Sequence, residues 1–588
     1  MFQTWSFPFR LGGRQGAFNA PACSHNDSRT GVIPSRAEKI PPVGEGATYA
    51  TGRSPRRFGL EIKNVDKIPL TANDLASFCA VGSAMTTDIS KSSPDQRKTL
   101  KSTSESPGFP SRRRWFSLEP MMRKNLSAVF VFSLLASHLA LAAAPKVDND
   151  AVVERRAVEA VIWGMPAVNT ELMLQAMQRS TSARENEVVY WSKPVNWKNQ
   201  TLTPNPDSIY FMTFVNTKAS GPLVVEIPPA DGGSLAVNIV TTWQMPLEDA
   251  GPQGADEGKG GKYLILPPDY QDTPPPGYIA LRSDTYGGFT LMRSNLASHS
   301  DADVAKSVEY GKRIKVYPLS QASAPPPTRF TDAYDVLFDA TIRYDASFFK
   351  TLNDVVQKEP WIQRDRVMID HLGTLGIHKG KPYQPDAKTE KILDAAARQA
   401  HAELAARYDR GFERMVPEYR WFPAAMPEIA RAVSTGYGNP DEYPVDGRGV
   451  TYTLGFTGIK RLGTAQFYLM VAKDKNGKDF DGRSTYRLVV PPNAPVAQYW
   501  SATAYDRQTH ALIRNMPKAS VASTTTGIAK NADGSVDIYF GPKAPQGKQA
   551  NWVPTDPHGK FELLFRLYEP QKPFFDKQWR LPDVEKID

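Results

Sequence analysis

The feature that most constrains this chain is a series of short apolar runs, each bounded by turn-forming residues. Between positions 208 and 293 these runs are Ile209–Val215, Leu223–Ile227, Leu235–Thr241, Lys262–Leu266, Tyr278–Ser283 and Gly288–Arg293. Glycine- and proline-rich clusters separate them, as at residues 230–233 and 273–277. Many short strands with this punctuation are typical of an antiparallel sandwich or barrel.

A second strand-rich block follows residue 436. Its strand-like runs are Thr485–Val490, Val536–Phe540 and Phe561–Tyr568, and hairpin-type turns precede the first two, at residues 474–482 and 531–534. We find no internal sequence match between the two blocks. This block therefore predicts a second β-rich domain.

Helical patterns precede and separate the two blocks. Apolar spacing predicts one helix from about Val152, a break at Gly164-Met165-Pro166, and a second helix to Met177. Residues 332–412 are mostly helical in pattern, with a glycine stop at Gly411. We therefore predict an α+β protein: two antiparallel β-sandwich, jelly-roll-like domains (143–324 and 436–588) joined by a helical segment (325–435).

Residues 121–142 have the three parts of a secretory signal peptide. Arg123 and Lys124 are followed by an apolar run and by the small-residue site Ala140-Leu141-Ala142. The preceding segment 1–120 has no sustained periodicity, and we interpret it as a disordered or mistranslated upstream segment. We expect a periplasmic or secreted bacterial protein with no integral membrane span after signal cleavage.

Charge and cysteine content exclude several classes of function. The chain of 588 residues has 71 Lys and Arg against 62 Asp and Glu, but residues 1–142 hold 19 and 10 of these, which leaves 52 of each in the remainder. We therefore expect no nucleic-acid partner. Both cysteines, Cys23 and Cys79, also lie before residue 143, so the mature chain has no thiolate nucleophile. No cofactor is implied, and a homo-oligomer is left open.

Four motifs carry a resemblance to known families: TPNPDSIY from Thr203, YWSATAYD from Tyr499, QANWVP from Gln549 and FRLYEP from Phe565. With them, the chain resembles exported bacterial proteins that have domain of unknown function 1254 (about 185–320 here) followed by domain of unknown function 1214 (about 450–570). The resemblance implies an exported two-domain protein with β-sandwich domains. It implies no agreed reaction.

The turn before the first long strand is the first candidate site. Asn205 lies between Pro204 and Pro206, so its backbone has little freedom. We expect Asp207 in the turn, Ser208 at the start of the strand, and Tyr210 pointing inward. Asp207 or Arg293 would then bind the Tyr210 hydroxyl. The structural alternative is a polar turn in which Asn205 and Asp207 satisfy local backbone groups.

The second candidate group combines aromatic, amide and guanidinium side chains that suit a sugar-like ligand. Its members are Trp500, Asn515, Asn551, Trp552, Arg566 and Tyr568. The structural alternative places both tryptophans in a sandwich core, with Arg566 holding a loop.

Motifs for familiar chemistries are missing, since the sequence has no HExxH, P-loop, GxSxG or CxxC motif. No histidine pair has metal-ligand spacing, so we predict no metal site. His510 follows Tyr505-Asp506, and we interpret it as a surface hairpin residue.

Two classes of function remain. The first is binding of a small polar or glycan-like ligand between the two domains. The second is a hydrolase or lyase that uses Asp207 and Tyr210 as acid/base groups, with His510 as a further candidate. If Asp207, Tyr210, Arg293 and the second group line one pocket, an enzyme is favoured; if they are dispersed, only binding or a structural role remains.

Overall fold

The computed structural model describes residues 149–455, 458–461 and 465–588. The predicted upstream segment 1–120 and the predicted signal peptide 121–142 lie outside these residues. Within them, no helix is both long and apolar enough to span a membrane.

The first strand-rich block contains all six predicted strands, with ends shifted by at most two residues. Its strands are β1 (Val188–Tyr190), β2 (Asn199–Gln200), β3 (Ser208–Asn216), β4 (Leu223–Ile227), β5 (Leu235–Thr241), β6 (Pro246–Ala250), β7 (Gly261–Leu266), β8 (Ile279–Arg282), β9 (Gly287–Asn295), β10 (Lys315–Pro318), β11 (Phe330–Asp332) and β12 (Phe338–Asp339). The sequence patterns missed β6, which begins with Pro246 and forms a sheet edge. Proline is tolerated at that position.

Two sheets of this block pack face to face, and we call the pair sandwich 1. The larger sheet has the order β11-β1-β3-β9-β5-β6, and the smaller has the order β10-β4-β7-β8. Ile209 and Phe211 of the larger sheet share a buried core with Val225 and Ile265 of the smaller one. Because side chains alternate along a strand, Tyr210 and Met212 lie on the opposite, inner face of the larger sheet.

The second block forms sandwich 2 in the same way. Its strands are β13 (Phe422–Pro423), β14 (Gln466–Val471), β15 (Phe480–Asp481), β16 (Tyr486–Val490), β17 (Trp500–Asp506), β18 (Ser520–Ala522), β19 (Val536–Gly541), β20 (Trp552–Pro554), β21 (Lys560–Tyr568) and β22 (Glu585–Lys586). One sheet has the order β13-β14-β21-β17-β18, and the other has the order β20-β19-β16-β22. Leu469 and Phe565 of the first sheet share a core with Leu488 and Ile538 of the second.

The two sandwiches have one strand topology. Nine strands of sandwich 1 each have a counterpart in sandwich 2, in the same chain order. The pairs are β1 with β13, β3 with β14, β4 with β16, β5 with β17, β6 with β18, β7 with β19, β8 with β20, β9 with β21 and β10 with β22. Neighbours and directions agree in each of these pairings, including the parallel pairs β7 with β8 and β19 with β20. Sandwich 1 has a further parallel pair, β1 with β11, outside this correspondence. The repeated order makes the two sandwiches structural counterparts although the sequence patterns showed no repeat.

The described helices are α1 (Asn149–Ser180), α2 (Thr217–Ser220), α3 (Asp301–Gly311), α4 (Ser347–Lys358), α5 (Met368–Thr374), α6 (Ala387–Gly411), α7 (Pro427–Ser434), α8 (Val445–Thr453) and α9 (Lys572–Phe575). The helices α1 and α4 to α8 cover the inner faces of the large sheets, whereas α3 packs in the sandwich 1 core and α9 in the sandwich 2 core. α1, α4 and α6 share one buried cluster with the inner faces of β3, β9, β14 and β21. This cluster is a third core, common to the two sandwiches.

The predicted break in the first helix is wrong. α1 continues through Pro166, and nearly every residue from Ala157 to Met177 is buried. A proline inside a helix costs about 3 kcal/mol. Packing against α4, α6 and α8 offsets that cost, since most helix stability in proteins comes from tertiary contacts.

The expectation that strands continue without interruption after residue 436 is also wrong, because α8 lies there. Its Gly447 and Gly449 are poor helix formers. A Cβ atom at Gly449 would lie 2.9 Å from the Ile162 side chain of α1. Glycine therefore allows α8 to approach α1 closely, and that packing selects the helix. The α+β class is confirmed, while the jelly-roll description stays a prediction.

Candidate functional site

The turn before β3 connects the two sandwiches. Asn205 is buried, and its side-chain amide donates hydrogen bonds to the hydroxyls of Tyr568 (2.7 Å) and Tyr499 (3.1 Å) in sandwich 2. Its side-chain oxygen accepts from the Asp207 N–H at 3.1 Å. Asn205 therefore has both of the roles considered from the sequence. It binds a local backbone group, as in a polar turn, and it hydrogen-bonds side chains in the second half of the chain.

Ser208 opens the strand and Tyr210 points inward, as predicted. The expected partner of the Tyr210 hydroxyl is wrong. The hydroxyl oxygen accepts from the backbone N–H of Asn205 at 2.8 Å, and no hydrogen bond joins it to Asp207 or Arg293. Burial raises the pKa of Tyr210, although the charges of Arg293 and Arg566 oppose that rise.

A cavity of about 70 Å³ lies between the inner faces of the two sandwiches, and we call it the central cavity. Tyr210 and Arg293, which are cross-strand partners on β3 and β9, belong to one wall. Tyr468 and Arg566, cross-strand partners on β14 and β21, belong to the other wall. The next row on each wall is apolar: Met212 beside Leu291, and Met470 beside Leu564. The central cavity is therefore polar in one layer and apolar in the next.

Arg293 is 5 % exposed and surrounded by neutral groups. Its Nη2 donates to Asn238 Oδ1 at 2.7 Å, and its Nη1 donates to the Tyr468 hydroxyl at 3.0 Å. With its amide oxygen turned towards them, Gln466 accepts from the same two nitrogens. The nearest acid in this network is Asp249, which accepts from the Asn238 amide at 2.8 Å, and burial raises its pKa.

Arg566 is 1 % exposed and likewise has only neutral acceptors. Its Nη1 donates to Thr503 Oγ1 at 3.0 Å. Its Nη2 donates to the Thr203 carbonyl at 2.9 Å and to the Tyr505 hydroxyl at 2.6 Å. The Thr203 contact ties the guanidinium to the turn that precedes β3.

Within the described residues, the charge of this site has no directly contacting counter-charge. No described carboxylate lies within 4.0 Å of either guanidinium, and none of the residues that line the central cavity is Asp or Glu. The Nε atoms of Arg293 and Arg566 are buried without a hydrogen-bond partner. Arginine keeps its proton in proteins, so the central cavity carries two positive charges.

Asp207 lies outside the central cavity. Its Oδ2 accepts from the Ser520 hydroxyl at 2.7 Å, and its Oδ1 is 3.1 Å from His299 Nε2. The hydrogen bond to Asp207 raises the pKa of His299. Burial lowers the pKa of Lys518 to about 8, although Asp207 opposes that change. The structure thus separates the carboxylate of Asp207 from the cavity wall that contains Tyr210.

The members of the second candidate group do not share one site. Arg566 lines the central cavity and Tyr568 accepts a hydrogen bond from Asn205, while the other four lie elsewhere. Trp500 is buried in the sandwich 2 core, where it stacks on Phe565 at 5.6 Å. Asn551 binds the backbone of Ala529 and Asp537. The Trp552 indole donates to the Gly541 carbonyl at 2.9 Å, and Asn515 is an exposed turn residue with φ of 61°. These four side chains do not line the central cavity.

The interpretation of His510 as a surface residue is wrong. Its side chain is 6 % exposed, and its Nδ1 lies 2.6 Å from Oε1 of the fully buried Glu562. Tyr408 of α6 donates to the other oxygen of Glu562 at 2.8 Å. His510 therefore belongs to a buried link between sandwich 2 and α6, not to the central cavity.

Sequence patterns missed Tyr468, Asn238, Gln466 and Thr503 as parts of the site. Each lies on a strand, with its side chain on the same sheet face as an arginine. The available signal was the spacing Tyr-x-Met and Leu-x-Arg, which occurs at Tyr210 and Arg293 and again at Tyr468 and Arg566. Two residues per strand are too few to stand out in the sequence alone.

Two protein-family models match separate segments of the chain. Residues 185–318 match the family model described as Protein of unknown function (DUF1254), and residues 465–572 match the model described as Protein of unknown function (DUF1214). The two matches occur in that order along the chain. The segment that matches DUF1254 contains Tyr210 and Arg293, and the segment that matches DUF1214 contains Tyr468 and Arg566.

Two solved structures are similar to this DUF1254–DUF1214 chain. The crystal structure of the VPA0106 protein from Vibrio parahaemolyticus is 17 % identical, covers 74 % of this chain and 100 % of its own, and has a TM-score of 0.47. The crystal structure of an uncharacterized protein from Burkholderia cenocepacia is 12 % identical, covers 75 % and 95 %, and has a TM-score of 0.34. No curated protein matches the chain.

The described part of the DUF1254–DUF1214 chain contains no group of three or more His, Cys, Asp or Glu residues arranged to hold a metal ion. The chemistry that its central cavity offers is that of two guanidiniums, two tyrosine hydroxyls and neutral amides beside an apolar layer. Such donors bind and orient an anionic group.

Proposed function

We propose that this protein binds a small organic anion in the central cavity. One observation carries the proposal: Arg293 and Arg566 are almost completely buried, line the same cavity and have no carboxylate partner among the described residues. A buried charge without a counter-charge costs several kcal/mol. An anion bound between the two guanidiniums would remove that cost.

The apolar layer narrows the class of ligand. Met212, Leu291, Met470 and Leu564 lie next to the polar layer and offer no hydrogen bonds. A compact anion with a hydrocarbon part therefore suits the cavity better than a glycan, whose hydroxyls would lose hydrogen bonds to water there. The dispersal of Trp500, Trp552, Asn515 and Asn551 also removes the flat aromatic surface that a sugar would need.

The alternative of a hydrolase or lyase receives less support. It requires Asp207 and Tyr210 to act on one substrate, but the Asp207 carboxylate is held by Ser520 and His299 away from the cavity lining. Tyr210 also accepts a hydrogen bond from backbone, and burial raises its pKa. This geometry favours binding over acid/base chemistry.

Export remains part of the proposal. The motif at residues 121–142 supports a periplasmic or secreted location, in which the protein would meet small anions from outside the cell. N-terminal sequencing of the protein purified from its host tests this part. A start near Ala143 is expected, and a native start at Met1 would contradict it.

A thermal-shift screen against small carboxylates tests the binding proposal. The wild type should be stabilised by at least one of them, by about 2.7 kcal/mol at one hundred times the dissociation constant. Arg293→Met and Arg566→Met should abolish that shift. Arg282→Met, at an exposed position on β8, removes the same charge and should keep it.

The same variants separate binding from a structural role. Replacement by methionine removes the cost of a buried, unpaired charge and also removes hydrogen bonds to neutral acceptors, so the free energy of unfolding of the ligand-free protein should change by no more than about 1–3 kcal/mol in either direction. If both cavity variants are strongly destabilised while anion binding in the folded fraction is intact, the two arginines are structural and the proposal fails.

A further inference from the structure

The two walls of the central cavity are built from the same four residues in the same arrangement. On β3 and β9, Tyr210 faces Arg293 and Met212 faces Leu291. On the corresponding strands of sandwich 2, Tyr468 faces Arg566 and Met470 faces Leu564. Because β3 and β14 are counterparts, as are β9 and β21, each half of the chain presents one equivalent guanidinium to the cavity.

The groups that hold the two guanidiniums are equivalent as well. Arg293 donates to Asn238, which lies opposite Leu291 on β5. Arg566 donates to Thr503, which lies opposite Leu564 on β17. The strands β5 and β17 are themselves counterparts. Each arginine is therefore oriented from the neighbouring strand in the same way, by a neutral acceptor.

The two guanidiniums contact the same side chain in spite of their like charge. Arg293 donates to the Tyr468 hydroxyl at 3.0 Å, and the Arg566 guanidinium carbon lies 5.2 Å from the centre of the Tyr468 ring. One side chain thus contacts both cations. A single negative charge would neutralise only half of this pair. The Nε–H of each arginine has no hydrogen-bond partner and is free to donate to a carboxylate.

We infer that the ligand of the central cavity is a short dicarboxylate. One carboxylate would bind to Arg293 and the other to Arg566, and the carbon chain would lie against the methionine and leucine layer. This inference rests on the proposed anion-binding function and names the class of anion. It requires two separated negative groups, which distinguishes it from a monocarboxylate and from inorganic phosphate.

Isothermal titration calorimetry with the wild-type protein tests the inference without any mutation. The probes are the straight-chain dicarboxylates of four to six carbons, the half-amide of each, and inorganic phosphate. The half-amide keeps length and shape but carries one negative charge. The tightest dicarboxylate should bind at least tenfold more tightly than its half-amide and than phosphate.

Two variants then assign the charges. In Arg293→Met and in Arg566→Met, the dicarboxylate should bind no more tightly than its half-amide, because one carboxylate has lost its partner. Arg282→Met should keep the full difference. If either variant fails to fold, the inference is tested by the wild-type protein alone, through its affinities for the dicarboxylate and for the half-amide.

The possible results separate this inference from the proposed function. Equal affinity for a dicarboxylate and its half-amide would overturn the dicarboxylate inference and keep the anion-binding function. Tighter binding of phosphate would do the same. Absence of binding by every probe would overturn both.

Discussion

The hydroxyl oxygen of Tyr210 accepts a hydrogen bond of 2.8 Å from the backbone N–H of Asn205, five residues earlier. Both residues are buried, so the contact closes the turn back onto the strand that follows it. Tyr210 therefore has two roles: its ring lines the central cavity, and its hydroxyl fixes the turn that reaches sandwich 2 through Asn205.

Tyr210→Phe should destabilise the protein by about 1–3 kcal/mol, because it leaves a buried backbone N–H without a partner. Urea unfolding followed by circular dichroism measures the change. Tyr278→Phe, at a half-buried position without a hydroxyl hydrogen bond in the structure, is the matched control and should cost less than about 0.5 kcal/mol. Equal stability of Tyr210→Phe and the wild type would show that water replaces the tyrosine hydroxyl.

Asp207→Asn should also destabilise the fold, by about 1–3 kcal/mol, because the carboxylate is 4 % exposed and accepts from Ser520 while it faces His299. Binding of carboxylates should be unchanged, since Asp207 does not line the central cavity. Calorimetry on the folded variant measures this. Asp335→Asn, at an exposed surface ion pair, is the control for loss of charge. If a stable Asp207→Asn protein lost carboxylate binding, Asp207 would have to be counted as a residue of the binding site.

The His299–Asp207 pair should make stability depend on pH. Folding raises the pKa of His299 above its ordinary value of 6.5, so the folded state holds the proton more tightly than the unfolded chain. The contribution is complete below about pH 6.5 and is lost as the pH rises through the folded pKa. Because the side chain is 25 % exposed, we expect no more than about 1 kcal/mol.

Unfolding free energies of the wild type and of His299→Gln, measured from pH 5.5 to 7.5, test that expectation. The difference between the two proteins should shrink as the pH rises, and a constant difference would contradict it. The upper limit keeps most of the neighbouring Lys518 protonated, because burial lowers its pKa to about 8. Asp303 also faces His299 and favours its protonated form.

Gly311→Ala should destabilise the protein by about 1–3 kcal/mol. A Cβ atom at this position at the end of α3 would lie 2.1 Å from the ring of Phe211, which is fully buried in the sandwich 1 core. Thermal unfolding measures the loss. Glu309→Ala, on the exposed side of the same helix, should change stability by less than about 0.5 kcal/mol. A neutral Gly311→Ala would show that the helix end can move away from Phe211.

Local patterns predicted the strands of this protein better than its site. Leu223–Ile227 and Leu235–Thr241 agree with the structure residue for residue, because alternation and flanking turns are local signals. The sequence candidates Tyr210, Arg293 and Arg566 do line one cavity. The partner of Tyr210 was not predictable in this way, since it is a backbone group that side-chain chemistry does not reveal.

Contacts between distant segments account for the failures. Asp207 turns towards Ser520, which lies more than three hundred residues later in the chain, and no pattern near Asp207 indicates that strand. Trp500 and Trp552 are residues of a type common in sugar-binding sites. Whether such a side chain faces a cavity or a sheet core can be decided only when the position of the opposite sheet is known. The repeated Tyr–Arg pair became visible only when strand register placed its residues opposite each other.

Because α1 and the inner faces of both large sheets share one core, neither half of the chain has a complete core of its own on that side. Met212 and Leu291 in one half, and Met470 and Leu564 in the other, are covered only when both halves and the helical layer are present. If residues 185–318 or 465–572 were expressed alone, these apolar side chains would be exposed to solvent. We expect each isolated segment to associate or aggregate. We therefore expect the two segments to fold cooperatively only together with each other and with the helical layer.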